Sequence, residues 1–220
     1  MSIEESVKLV PKGEIALIEW DLVGEKVNKL STPIMTRFQE ILDELKQSSY
    51  KAVVILSRKE NNFMAGADID EIKKISTKEG FLEVLEPAHD ILNQLEDLPM
   101  PTIAAVNGAC LGGGCELILA CDYRLASDAA STKIGLPEVK LGIIPGFGGC
   151  VRLPRVVGLQ ASLDIILAGK SVPAKKALKI GLADECVPKE LLEERAFAVA
   201  SEVVAGKRGK RKKVYQPRDV

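Results

Sequence analysis

Residues 107–122 read Asn-Gly-Ala-Cys-Leu-Gly-Gly-Gly-Cys-Glu-Leu-Ile-Leu-Ala-Cys-Asp. The preceding residues Thr102–Val106 (TIAAV) form a short apolar run of the kind that makes a buried strand. Cys115–Ala120 carry helical residues, so the stretch reads as strand, glycine cluster, helix. Glycines at such a junction let a ligand approach the backbone. The first amides of the helix have no intrahelical acceptor, and the helix dipole adds partial positive charge. Together they can stabilise an oxyanion. The same glycines also fit a tight turn packed against a neighbour, and glycine count alone does not separate the two. Glu116 follows directly, in the first turn of an otherwise apolar helix. A second carboxylate, Glu138, lies between apolar residues in Ile134-Gly-Leu-Pro-Glu-Val. Carboxylates in apolar surroundings acquire raised or split pKa values suited to proton transfer. Each also fits an ordinary charge at a helix end or turn, and sequence alone does not show that they meet.

Outward from this stretch, Glu14–Trp20 and Lys51–Ser57 read as strands, and Asp122–Ala126 as another. The spacing of Ile34, Phe38, Ile41, Leu42 and Leu45 predicts a helix between the first two, with Ser31 or Thr32 as cap and Pro33 in its first turn. Gly80–Leu98 repeats the helical spacing, with Pro87 as a start or kink. Pro145–Gly149 reads as a turn before a helix near Cys150–Val156, and Leu159–Ala168, Ala174–Ile180 and Glu190–Val204 read as further helices. Strands joined through helices indicate an α/β fold. The N-terminus, MSIEESVK, is polar and unlike a signal peptide. No apolar run approaches the roughly 20 residues that span a bilayer. Five cysteines, an odd number without a secretion signal, point to a reducing compartment and structural thiols. A formal charge of −1 gives no overall attraction for nucleic acid or membrane. The basic run Lys207–Lys213 reads as a solvated tail or linker.

Several familiar sites are excluded. Gly169-Lys170-Ser171 resembles the end of a phosphate loop, but Asp164 stands where its first glycine is required. Gly146 and Gly148 begin a dinucleotide fingerprint that fails at Val151. No Gly-x-Ser-x-Gly elbow occurs. His89, the one histidine, falls mid-helix and reads as a partly exposed helix residue, which leaves metal and triad chemistry without ligands. Phe147 and Ile143 fit either an acyl pocket or core packing.

Read together, the motifs resemble the crotonase (enoyl-CoA hydratase/isomerase) family from about Glu14 to Pro188. The segments are AGADIDE (65–71), PTIAAVNG (101–108), LGGGCEL (111–117), Cys121-Asp122, GLPE (135–138), LGIIPGFGG (141–149), RLPR (152–155), and Ala168-Gly-Lys through Gly181-Leu-Ala-Asp. The resemblance implies an α/β crotonase fold of repeated ββα units with a helical C-terminal part. It divides the chain into a core at 1–188 and a C-terminal helix and basic tail at 189–220. It places oxyanion-binding amides at Ala67 and Gly113, catalytic carboxylates at Glu116 and Glu138, and substrate or CoA contacts at Ala65, Asp68, Gly112 and Phe147. The implied reaction adds water to a 2-trans-enoyl-CoA to give a 3-hydroxyacyl-CoA in fatty-acid β-oxidation, with neither metal nor cofactor beyond the CoA of the substrate. Δ3-Δ2-enoyl-CoA isomerisation is the alternative on the same residues. A binding protein without turnover, engaging RNA through Lys207–Lys213, is the alternative from another class. A finer resemblance, through DLVGEKVN (21–28), PGFGG and RLPRVVG, is to the N-terminal hydratase part of multifunctional fatty-acid oxidation α subunits. It implies a cytoplasmic protein, a homo-oligomer or an α2β2 complex with a thiolase, and a fragment leading into a linker and a dehydrogenase region. Glu116 and Glu138 are spaced slightly wider than in most relatives. Ser127–Thr132, a small polar loop, is the expected place for the extra length.

Overall fold

A computed structural model describes residues 3–209. In chain order the elements are α1 (Ile3–Ser6), β1 (Val7–Lys12), β2 (Ile15–Trp20), α2 (Thr32–Gln47), β3 (Ala52–Ser57), β4 (Asn62–Met64), α3 (Ile69–Ile72), α4 (Lys78–Glu96), β5 (Thr102–Val106), β6 (Ala109–Leu111), α5 (Gly113–Ala120), β7 (Tyr123–Ser127), β8 (Lys133–Gly135), a 3-10 turn (Glu138–Leu141), α6 (Gly149–Val157), α7 (Leu159–Ile166), β9 (Ser171–Pro173), α8 (Ala174–Lys179), β10 (Glu185–Val187) and α9 (Leu192–Val204). A six-stranded sheet has the order β1-β2-β3-β5-β7-β10, and a four-stranded sheet the order β4-β6-β8-β9. The large sheet is parallel except for its β1–β2 edge. In the small sheet only β8–β9 is antiparallel.

The pairs β3–β4, β5–β6 and β7–β8 each give one strand to the large sheet and one to the small, and a helical segment follows each pair. This is the expected ββα repeat. The central strands β3 and β5 are buried along their whole length, as parallel strands covered on both faces must be. On one face, Leu192, Ala196, Val199, Ala200 and Val203 of α9 pack on Leu17, Val54, Ile103, Ala105 and Leu125. On the other, α2, α4 and α5 bury their apolar stripes together with residues of both sheets. Trp20 and Phe38 meet in that larger core with ring centroids 5.4 Å apart and planes tilted by 59°.

Several expectations need correction. Edge strand β1 was missed; it alternates weakly and contains Pro11, which only an edge tolerates. β4, β6, β8, β9 and β10 are three residues each, too short for periodicity to register. Ser31 stands at the N-cap of α2, as expected, but neither it nor Thr32 bonds the helix end through its side chain. Glu71 instead reaches across to the Thr32 amide (2.9 Å) and hydroxyl (3.0 Å). Pro87 lies inside α4, whose cap is Thr77, accepting from the Gly80 amide. Ser127 and Thr132 are not surface residues. Both are buried, and their hydroxyls bond each other at 2.6 Å, so only the residues between them can absorb length. Arg208, read as part of a solvated run, is held by Glu185 (2.7 Å) and lies 5.3 Å over the Tyr123 ring. Lys207 is described with it, and its amide donates to Glu202 O (2.9 Å), whereas residues 210–213 of that run lie outside the described residues. Among the described residues no helix is long and apolar enough to cross a membrane.

Candidate active site

The N-terminus of α5 is pressed into its surroundings. Gly112, its cap, has φ 53°, the left-handed side where a Cβ is disfavoured. A Cβ there would also lie 3.1 Å from Glu138 Oε1. A Cβ on Gly114 would fall 2.5 Å from Met64 Cβ and 2.7 Å from Met64 O, and one on Gly113 2.9 Å from Leu30. The glycine cluster is therefore required by close packing. That packing also brings a second peptide segment near: a Cβ on Gly66 (φ 108°) would sit 3.5 Å from Gly113 N. The close-packing reading of the glycines therefore holds, and the same packing sets the two peptide segments side by side.

Two main-chain amides are left over. Leu30 pairs with Ala67 as an isolated parallel bridge, in which Leu30 N donates to Gly66 O (2.8 Å) and Asp68 N donates to Leu30 O (3.1 Å). That register turns the Ala67 N–H away from Leu30. Gly113 opens α5 and has no carbonyl one turn back to bond. Among the described residues neither N–H has an acceptor.

A cavity of about 760 Å³ opens beside these amides. All the nominated residues line it: Ala65, Ala67, Asp68, Gly112, Gly113, Glu116, Glu138 and Phe147. Ile143 and His89 also line it. Phe147 serves both suggested ends, lining the cavity and packing in the core. Asp68 is engaged elsewhere as well. It caps α3 through the Asp70 amide (2.9 Å) and pairs with Lys29 (3.1 Å).

Glu116 is 1% exposed. Its Oε1 accepts from the Phe147 amide at 2.7 Å and the Gly149 amide at 2.8 Å. Burial pushes its carboxyl up to about 7; the Gly149 amide opposes this and the Glu138 charge adds to it. Glu138 is also buried, and burial raises its carboxyl above the ordinary range. Its Oε2 has no hydrogen-bond partner among the described residues. One carboxylate is thus held by two donors, and the other lines the same cavity with one buried oxygen left without a donor. Such an arrangement can take a proton at one point and deliver one at another. Among the described residues no group of three or more His, Cys, Asp or Glu side chains is placed to hold a metal.

Two supporting residues escaped the sequence reading. Asn28 is fully buried; it donates to Ser57 Oγ (2.8 Å) and Phe63 O (3.1 Å) and accepts from Leu22 N (3.0 Å). Its own carbonyl accepts from Ala65 N at 2.8 Å, so it fixes the start of the loop that carries Ala67. A lone Asn in a polar loop carries no signal for this. Arg152 is buried in the first turns of α6, against the helix dipole. That mismatch is a readable sign of a tertiary partner.

The family model described as enoyl-CoA hydratase/isomerase matches residues 13–215. The fatty acid oxidation complex subunit alpha of Vibrio parahaemolyticus is 45% identical over 194 residues, covering 87% of this chain and 28% of that protein. Its counterpart from Shewanella halifaxensis is 41% identical over 215 residues, 97% of this chain and 30% of that one. The chain therefore spans less than a third of the length of these relatives. Among solved structures, an enoyl-CoA hydratase from Bacillus anthracis aligns with a TM-score of 0.83 at 34% identity, covering 91% of this chain and 76% of that one. An enoyl-CoA hydratase from Geobacillus kaustophilus aligns with a TM-score of 0.85 at 30% identity, covering 90% and 74%. Motif order, ββα architecture and these matches agree, and the chain belongs to the enoyl-CoA hydratase/isomerase family.

Proposed function

We propose that this chain hydrates 2-trans-enoyl-CoA thioesters to 3-hydroxyacyl-CoA. The observation that carries this reading is the sharing of one cavity by Glu116, Glu138 and the two unacceptored amides of Ala67 and Gly113. The thioester oxygen sits between those amides. As water attacks Cβ, negative charge moves onto that oxygen, and donors already in place stabilise the enolate-like state more than the neutral substrate. Glu116, fixed through Oε1, takes the proton of the attacking water. Glu138 delivers a proton to Cα. CoA enters with the substrate, so the step itself requires no further cofactor. Ala65 and Asp68 border the CoA portion, and Gly112 and Phe147 the acyl portion.

The resemblance to fatty acid oxidation α subunits supports a cytoplasmic place in β-oxidation and assembly with a thiolase partner. The same two carboxylates would also move a proton between Cγ and Cα of a 3-enoyl-CoA, and product analysis on that substrate separates isomerisation from hydration.

The test is a spectrophotometric assay with crotonyl-CoA. Glu116→Gln and Glu138→Gln are each expected to lower kcat by roughly 10²- to 10⁴-fold while substrate still binds. Wild-type rates in either variant would remove the two-carboxylate mechanism.

A further inference from the structure

We infer that Arg152 is a positioning residue for Glu116, acting through the turn that holds the carboxylate. This rests on the proposed role of Glu116 as the base.

The two amides that bond Glu116 Oε1 belong to Phe147 and Gly149, on either side of one turn. The left-handed Gly148 between them lets both N–H groups converge on one oxygen, and the turn that does so is also held from behind. Arg152 does this. Its Nη1 donates to Phe147 O at 3.0 Å. Its Nε donates to Glu96 at 2.8 Å and its Nη2 to Asn93 Oδ1 at 2.7 Å, both on α4. The planar guanidinium thus ties three points together in a fixed fork. It runs directly beneath Gly148, where a Cβ would lie 2.3 Å from Nη1. Gly148 has φ 99°, so the turn needs glycine for conformation and for passage of the arginine.

The chain of contacts therefore runs from α4 through Arg152 to the Phe147 peptide and on to Glu116 Oε1. With Oε1 saturated, Oε2 is the oxygen left to meet water. If the turn relaxes, the carboxylate gains rotational freedom and loses donors that favour its ionised form. The Arg152 charge itself also lowers the Glu116 carboxyl, against the larger effect of burial. Other titratable groups on elements packed around α5 include Glu138, Cys150, Cys110, and His89 and Glu96 of α4. Arg124 lies at the far end of α5, bonding the Cys121 carbonyl. None of these touches the Phe147–Gly149 turn as Arg152 does.

The experiment compares wild type, Arg152→Gln, Arg152→Lys, Asn93→Ala and Glu96→Gln by crotonyl-CoA kinetics over pH and by carbon NMR titration of the Glu116 carboxyl. Arg152→Gln is expected to lower kcat by roughly 10- to 100-fold with KM little changed, as for other small misplacements of a catalytic group. The Glu116 midpoint and the acid limb of kcat/KM should move upward together. Arg152→Lys should recover only part of the loss, because one ammonium cannot make the three-point fork. Asn93→Ala, at an exposed position, keeps the cation and should give a smaller fall in the same direction. A folded Arg152→Gln with unchanged kcat and an unchanged midpoint overturns the inference. If Arg152→Gln does not fold, wild-type kcat and midpoint in both Asn93→Ala and Glu96→Gln overturn it. If the wild type itself shows no hydration, the functional reading fails, while the NMR midpoints still decide whether Arg152 sets the state of Glu116.

Discussion

Glu116 sits in a burial that opposes its charge, and the consequence is a measurable instability. Its carboxyl rises from an ordinary 4.5 to about 7 in the folded protein. An acid whose folded pKa is raised contributes its full stability below the unfolded pKa and loses it as pH rises through the folded one. Below about pH 4 the buried group is protonated in both states and nothing is lost. Above about pH 7 the folded protein holds a buried carboxylate that the unfolded chain would solvate, a penalty of about 3 kcal/mol. Glu116→Gln removes that charge while keeping an oxygen for the Phe147 and Gly149 amides. The variant is expected to be more stable than wild type by about 3 kcal/mol near pH 8 and equal to it near pH 4, measured by urea unfolding. An equal difference at both pH values would contradict the burial account. At this scale the sequence singled out both carboxylates, because each stands among apolar neighbours, without deciding between a working group and an ordinary charge. It did not expose Asn28 or Arg152, whose importance lies in partners far away in the chain.

At the scale of the element, α5 joins fold to chemistry. Its N-terminus must approach the Ala65–Asp68 loop closely enough for two peptide N–H groups to face one space. Met64 and Gly114 set that approach. A Cβ on Gly114 would meet backbone as well as side chain, with Met64 O at 2.7 Å, so the clash cannot be relieved by a rotamer change. Gly114→Ala is expected to destabilise the protein by about 2 kcal/mol or more and to depress turnover more than substrate binding, since the Gly113 amide shifts with the helix. Denaturant melts and crotonyl-CoA kinetics check both. Unchanged stability and rate would show that the approach is looser than described. The long elements were legible: α2, α4 and α9 carry apolar stripes over several turns. The small sheet was not. Its strands are three residues each, and their order is imposed by the large sheet that feeds them.

At the scale of the molecule, two sheets fed by the same chain convert distant sequence into one site. β5–β6 delivers the turn that starts α5, and β7–β8 delivers the turn that carries Glu138. Because β6 and β8 are parallel neighbours, their following segments leave on the same side. The backbone fixes this further where Gly112 N donates to Gly135 O at 3.0 Å. That is why two carboxylates in separate motifs face one cavity. It is also why local sequence could nominate the pair without showing that they meet. The most direct test is a crystal structure with bound acetoacetyl-CoA, a thioester resembling the hydration product. The expected result is the thioester oxygen within hydrogen-bond distance of both Ala67 N and Gly113 N, with the Cβ substituent between Glu116 and Glu138. A thioester oxygen bound away from those amides, or the two carboxylates separated by the ligand's path, would contradict it.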